Sequence, residues 1–530
     1  MPIARVDPST LQAMLHDGEE LALLDVREAG QFGEAHLLFA TPLPYSRLEA
    51  EVMALIPRKA VRIVLCDAGD CVIAERAGRR LFDCGYTDVA VLQGGTEGWA
   101  QAGYPLFAGV NVPSKLFGEL VEHEYHTPRI SARDLVEMKA RGERFLLLDG
   151  RPLNEHHKMT IPGSTCCPNA ELPYRIGSMV RDPHTTIVIN CAGRTRSILG
   201  AQMLINFGVP NPVYALENGT QGWRLADLEL EYGSARKYPD AVDETALPAQ
   251  QAAARALMAR FAIKMARAPE VENWLRDARR TTYLCDVRTP EEFAAGSLPG
   301  ALHAPGGQLI QATDQWIGVR NSRIVLADGG EHVRAPVVAS WLKQLGYDAW
   351  VLQGGVRARL VVPPAHRPAL PEVATIAPEA LNERLGAEPC ALLDLGSSMH
   401  FRKRHIPGSR WSIRARIVAD IGPADRTVVL VADEAVARLA AIDLREAGIR
   451  ELLRLAGGVE AWAAQGYPTE ATPNAPPDRE CIDYLFFVHD RHAGNREAMK
   501  QYLAWETGLI GRLSAEDRGL FRVGPAAGST

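Results

Sequence analysis

The chain has 530 residues, 58 Lys plus Arg against 64 Asp plus Glu, a formal charge of −6 and 47% hydrophobic residues. At roughly 100 to 200 residues per domain this is three to five domains, and one compact unit is excluded. The mildly acidic balance excludes attraction of the whole chain to polyanions, so no nucleic acid and no membrane surface is expected as a partner.

The nine cysteines include no C-x-x-C pair and no even spacing, so neither a disulfide framework nor a metal site is expected. Met1 to Thr10 holds no long apolar run, and no later segment reaches 18 consecutive apolar residues, which points to a cytoplasmic address with free thiols.

In chain order, the first unit opens on Leu23-Leu-Asp-Val-Arg27, passes through His36-Leu-Leu-Phe-Ala40 and the apolar strand Ile63-Val-Leu65, and closes on Leu92-Gln-Gly-Gly95 before Trp99. The second repeats this as Leu147-Leu-Asp-Gly-Arg151, Thr160-Ile-Pro-Gly-Ser164, Ile187-Val-Ile189 and Leu216-Glu-Asn-Gly219 before Trp223. The third reads Leu284-Cys-Asp-Val-Arg288, Ser297-Leu-Pro-Gly-Ala301, Ile324-Val-Leu326 and Leu352-Gln-Gly-Gly355, without the closing Trp. The fourth reads Leu392-Leu-Asp-Leu-Gly396, His405-Ile-Pro-Gly-Ser409, Val428-Val-Leu-Val431 and Leu455-Ala-Gly-Gly458 before Trp462.

Such recurrence in one order is an internal repeat. Continuous apolar strands alternating with amphipathic stretches imply α/β units with parallel sheets covered on both faces. Pro-rich and polar clusters place linkers near 108–126, 233–250, 363–372 and 471–480. The expected domains are 1–107, 126–232, 251–362 and 373–470, followed by a tail over 471–530. The helical spacing of residues 495–513 in that tail predicts a helix packed on a neighbouring domain.

Ligands in open α/β sheets bind beyond the carboxyl ends of the strands, which directs attention to the loop after each apolar strand. In the second unit that loop is Cys191-Ala-Gly-Arg194-Thr195-Arg196-Ser197. A cysteine between a buried strand and a helix start has backbone N–H groups aimed at its sulfur, and the two arginines favour the thiolate further. The amides of Ala192, Gly193, Arg194, Thr195, Arg196 and Ser197 are expected to hold a thiolate or persulfide, and Arg194 and Arg196 to bind an anionic sulfur donor. The first unit has Cys66-Asp67-Ala-Gly-Asp70-Cys71, where nearby acids raise the thiol pKa. The third and fourth loops hold no cysteine. Only the second unit is expected to be catalytic.

Taken together, these motifs resemble the rhodanese homology domain, repeated four times over residues 1 to about 470. The resemblance implies a five-stranded parallel sheet in each domain and sulfur transfer through a persulfide on Cys191. Sulfur would pass from thiosulfate or a similar donor to a thiophilic acceptor such as cyanide, with no cofactor. It also implies a silent first domain paired with an active second one. The related dual-specificity phosphatases have a loop one residue longer, whereas Ser197 stands where their arginine would be. Mercaptopyruvate sulfurtransferases lack such an arginine pair, which favours thiosulfate over 3-mercaptopyruvate. A second reading takes the three silent domains, whose loops lack the cysteine or flank it with acids, as a scaffold for a protein sulfur donor or acceptor, with 3-mercaptopyruvate or a persulfide as donor.

Other residues have structural readings. Asp149 with Arg151 recurs in three units whether or not a cysteine is present, which fits a strand-end ion pair. Trp99, Trp223 and Trp462 read as core anchors, Cys166 and Cys167 as core or rim, and His156 and His157 as surface residues.

Overall fold

The computed structural model describes residues 3–363, 368–388, 390–421, 427–486 and 494–524. Parts of the expected linker at 363–372, of the fourth domain and of the tail lie outside the described residues.

Four parallel five-stranded sheets are present, and in each the strands pair in the order first, fifth, fourth, second, third. In the second domain this places Thr186–Asn190 between Val213–Leu216 and Phe145–Asp149, with Arg129–Ile130 and Thr165–Cys166 at the edges. Residues 187–190 are buried, as the unbroken apolar run requires of a strand covered on both faces. Register then positions the loops. Asp25 pairs with Cys66, Asp149 with Asn190, Asp286 with Ala327 and Asp394 with Val431. The first loop residue after each strand is therefore Asp67, Cys191, Asp328 or Ala432.

The strand-end Asp–Arg pairs are structural. Arg151 donates through Nε and Nη2 to Asp149 at 2.9 and 2.7 Å, and through Nη2 to the Met159 carbonyl at 2.6 Å. Arg27 and Arg288 do the same for Asp25 and Asp286, reaching the carbonyls of Ala35 and Gly296. The fourth domain has Gly396 at this position, so Asp394 Oδ2 is buried without a hydrogen-bond partner, and burial holds its carboxyl above the usual range. Trp99, Trp223 and Trp462 are buried, each donating its indole N–H to a carbonyl six residues on.

Two of the expected linkers hold helices. The segment near 108–126 is not a bare linker: Val112–Tyr125 is a helix carrying Pro113 in its first turn, and Leu116, Phe117, Leu120 and Val121 are buried. It belongs to one apolar core shared by the first three domains. Gly118 lets it approach the second domain closely, because a Cβ there would stand 2.8 Å from Thr195 Cγ2. Similarly, Leu247–Arg260 is a helix that begins inside the expected linker at 233–250.

The fourth domain keeps separate apolar cores and docks on the first through buried charge. Arg414 donates to Glu49 (2.8 Å), Asp443 (2.6 Å) and the Tyr45 carbonyl (3.1 Å), while Tyr45 donates its hydroxyl to Asp443 at 2.7 Å. Arg334 links the second and third domains, pairing with Glu171, Glu292 and Glu331.

The contrast between Asp149 and Asp394 yields a prediction. Removing one partner of a buried pair costs about 3–5 kcal/mol, so Asp149→Asn lowers thermal stability at pH 7.5. Asp394 binds its proton more tightly folded than unfolded. Its contribution is complete below the ordinary carboxylate value near 4 and is lost as pH rises through the elevated folded value. Asp394→Asn is expected to melt higher than the parent at pH 7.5, with the gain shrinking toward pH 4. Melting curves at the two pH values test both substitutions.

Candidate active site

The loop of the second domain leaves the strand at Asn190 and enters the helix Thr195–Phe207. It is clamped from behind by the closing turn. Thr220 N–H donates to the Cys191 carbonyl at 2.8 Å, and Gln221 donates to the Ala192 carbonyl through its N–H at 3.2 Å and its side chain at 3.1 Å. Gly219 has φ +50°, and a Cβ there would overlap the Cys191 carbonyl, so the clamp needs glycine at this position. With these carbonyls turned to the clamp, no backbone carbonyl among the described residues accepts from the N–H groups of residues 192–197. Those groups form an anion cradle at a helix N-terminus.

The first and third domains show what the cradle attracts. Thr96 and Val356 N–H clamp the carbonyls of Asp67 and Asp328 as Thr220 clamps Cys191. In the first domain, Asp67 accepts from the N–H groups of Gly69 (3.1 Å), Cys71 (3.3 Å) and Ala74 (3.2 Å). In the third, Asp328 accepts from Gly330 (3.0 Å), His332 (3.4 Å) and Ala335 (3.1 Å), at the same offsets along the chain. A carboxylate thus fills each of these two loops where the second domain has Cys191. The thiol of Cys66, one residue earlier, is fully buried; burial first, and the Asp25 carboxylate second, push its pKa well up. Burial therefore outweighs the flanking acids invoked from the sequence.

Cys191 is 2% exposed, and its thiol donates toward Ser197 Oγ at 3.6 Å. It lines a cavity of about 220 Å³ together with Ala192, Gly193, Arg194, Thr195 and Arg196. Ser197 is buried beneath this floor and donates its hydroxyl to the Arg194 carbonyl at 2.8 Å.

Both arginines are already paired. Arg194 donates to Glu119 at 2.7 and 2.9 Å and to Glu122. Arg196 donates to Glu155 at 2.7 and 2.8 Å. Burial works against the Arg196 charge, but Glu155 outweighs it and the Cys191 sulfur acts in the same sense, leaving the guanidinium above its ordinary value.

Residues from well beyond the loop complete the cavity. Val110, Asn111 and Lys115 come from the segment leading into the helix Val112–Tyr125 and from its first turns, Gln308, Gln311 and Gln315 from the third domain, and Tyr502 and Glu506 from the tail helix Arg496–Gly508. A larger cavity of about 710 Å³ lies between the second and third domains and shares Glu155 and Gln308 with the first. Cys166 lines it, with its thiol pushed up to about 12 by burial and then by Asp149. His156, read from the sequence as a surface residue, is fully buried, its Nε2 3.3 Å from the Ser164 carbonyl; the short helix Leu153–Lys158 turns it inward and leaves His157, read the same way, exposed.

Gly219→Ala is expected to cost more than the 1–2 kcal/mol of a left-handed backbone alone, because the new methyl meets the Cys191 carbonyl. Gly208→Ala, also at positive φ but with open space around it, costs only the backbone strain. Melting temperatures and the alkylation rate of Cys191, followed by mass, are expected to change together in the first variant, while the second leaves the alkylation rate unchanged.

The Rhodanese-like domain family model matches residues 7–102, 131–226, 268–359 and 377–465. A solved thiosulfate sulfurtransferase from Pseudomonas aeruginosa is 41% identical with a TM-score of 0.90, over 98% of this chain and 99% of that one. The probable adenylyltransferase/sulfurtransferase MoeZ of Mycobacterium tuberculosis is 30% identical over 101 residues, 19% of this chain and a quarter (25%) of the relative. A sulfurtransferase from Allochromatium vinosum is 27% identical over 106 residues, 20% of this chain and 96% of that protein. With this sheet order in each repeat and family matches over most of its length, the chain belongs to the rhodanese-like sulfurtransferase family.

Proposed function

We propose that the protein moves sulfane sulfur through a persulfide on Cys191 of the second domain, taking it from thiosulfate or a similar small anionic donor. The observation that carries this reading is the occupancy of the sister loops. Where Asp67 and Asp328 place a carboxylate among backbone N–H groups, Cys191 places a sulfur. The backbone N–H groups that hold a carboxylate oxygen in the sister loops are offered here to a thiolate, and afterwards to the outer sulfur of a persulfide.

In the loading step the Cys191 thiolate attacks the outer sulfur of thiosulfate. The new S–S bond forms as the old one breaks, and sulfite leaves with the electron pair. The N–H groups of Ala192, Gly193, Arg194, Thr195, Arg196 and Ser197 hold the resulting anion. Arg196 supplies positive charge from beside the sulfur, and its bond to Glu155 orients it. Arg194 is held by Glu119 and Glu122 and contributes charge from further back. In the unloading step a thiophilic acceptor such as cyanide, or a thiol on a small molecule or protein, takes the outer sulfur and restores the thiolate.

Cys191→Ala is expected to reduce thiocyanate formation from thiosulfate and cyanide to background, whereas Cys66→Ala keeps most of it. Incubation with thiosulfate should add the mass of one sulfur atom at Cys191. Addition from 3-mercaptopyruvate alone would reverse the donor assignment, and full activity in the Cys191 variant would overturn the reading.

A further inference from the structure

Glu506 lies more than 300 positions beyond the loop it touches, on the helix Arg496–Gly508. Although a glutamate, it is 2% exposed. Thr195, the first residue of the helix that follows the loop, donates its hydroxyl to Glu506 Oε1 at 2.7 Å, which fixes the carboxylate's orientation. Oε2 is buried and has no hydrogen-bond partner. It faces the loop beside Gly193, where a Cβ would stand 3.1 Å from it. Glu506 and Cys191 line the same cavity, and Tyr502, one helical turn earlier, lines it too.

A buried carboxylate oxygen without a partner costs free energy unless a ligand supplies the missing bond. The other carboxylates around the loop are engaged, Glu119 and Glu122 by Arg194 and Glu155 by Arg196. Glu506 is thus the acid–base group in this cavity whose second oxygen faces it unoccupied. Delivery of sulfur to a thiol has a use for such a group. In the balanced reaction, R–SH and Cys191–S–S⁻ become R–S–SH and the Cys191 thiolate, so a proton must leave the incoming sulfur and reach the outgoing one.

We propose that Glu506 is a catalytic residue for the discharge of the Cys191 persulfide to thiols, carried into the site by the C-terminal helix. Its Oε2 takes the proton from the incoming thiol and passes it to the outer sulfur of the persulfide. The thiolate then attacks that sulfur, the bond to Cys191 breaks, and Cys191 leaves as the thiolate held by the loop amides. No external oxidant or reductant is required. This assignment rests on the persulfide reading above, and it assigns a task to the tail that the four repeated domains do not contain.

The experiment uses the full chain loaded with thiosulfate, with Glu506→Gln beside the parent. Glutamine keeps an oxygen for the Thr195 hydroxyl and loses the ability to carry a proton. Discharge of the persulfide is followed in single turnover to 2-mercaptoethanol and, separately, to the cyanide anion, which brings no proton while thiocyanate leaves without one. Glu506→Gln is expected to slow discharge to the thiol at least tenfold more than discharge to cyanide, in keeping with the loss of a general acid–base group. Equal slowing with both acceptors would mean that Glu506 only props the loop, and no change with either would mean that it is idle; each result overturns the proposal. Failure of the parent to gain sulfur at Cys191 would instead overturn the persulfide reading beneath it.

Discussion

A run of backbone N–H groups at the end of a buried strand has to meet negative charge, and that requirement organises each loop in this molecule that retains the cradle. The closing glycine turn takes the Cys191 and Ala192 carbonyls, and no backbone carbonyl among the described residues accepts from the amides of the loop. In the first and third domains an aspartate of the loop itself accepts from these N–H groups. In the second domain the same position is Cys191. The fourth domain has Ala432 there, and its loop is organised instead around Asp433 as an ordinary helix cap accepting from Val436 N–H at 2.9 Å. One fold thus appears with a cysteine, an aspartate or an alanine at this position.

The fold was legible because its signals are local and repeated. An apolar run ending in aspartate, a second short strand and a glycine turn recur at nearly constant spacing, and each is set by interactions within one domain. The Asp149–Arg151 pair shows why the repeat persists without cysteine: it ties a strand end to the next segment through the Met159 carbonyl. The loop from Cys191 to Ser197 was legible for the same reason. Its surroundings were not. Glu119, Glu122, Lys115, Gln308, Tyr502 and Glu506 reach the loop from elements whose sequences carry no motif, because their placement depends on how domains dock. The helix Val112–Tyr125 was misread as linker since Pro113 and the polar residues before it suggest a break. Pro in a first helical turn is a start signal, and the apolar face at Leu116, Phe117 and Leu120 was the available clue.

Docking also changes how the charges at the site are read. From the sequence, two arginines beside a cysteine suggest an exposed cationic clamp. In the folded chain each guanidinium is held by carboxylates from other segments, so the site is rich in ion pairs while carrying little excess charge. Paired arginines keep their orientation, and charge fixed in place in this way stabilises an anion better than a mobile side chain does. The cost is weaker general attraction for anions.

The Arg414 cluster has a consequence for how the molecule is made. Glu49 and Tyr45 are synthesised early, but the guanidinium that covers them and the Asp443 that shares it belong to the last repeat. During translation, when N-terminal domains fold first, the first domain therefore stands with this charged face, Glu49 beside Arg76 and Arg80, in water until the fourth repeat has left the ribosome. Hydration is a comfortable environment for a carboxylate, so the waiting surface is soluble rather than sticky. Because this seam is closed by charge rather than grease, the nascent chain is protected against premature association with its neighbours.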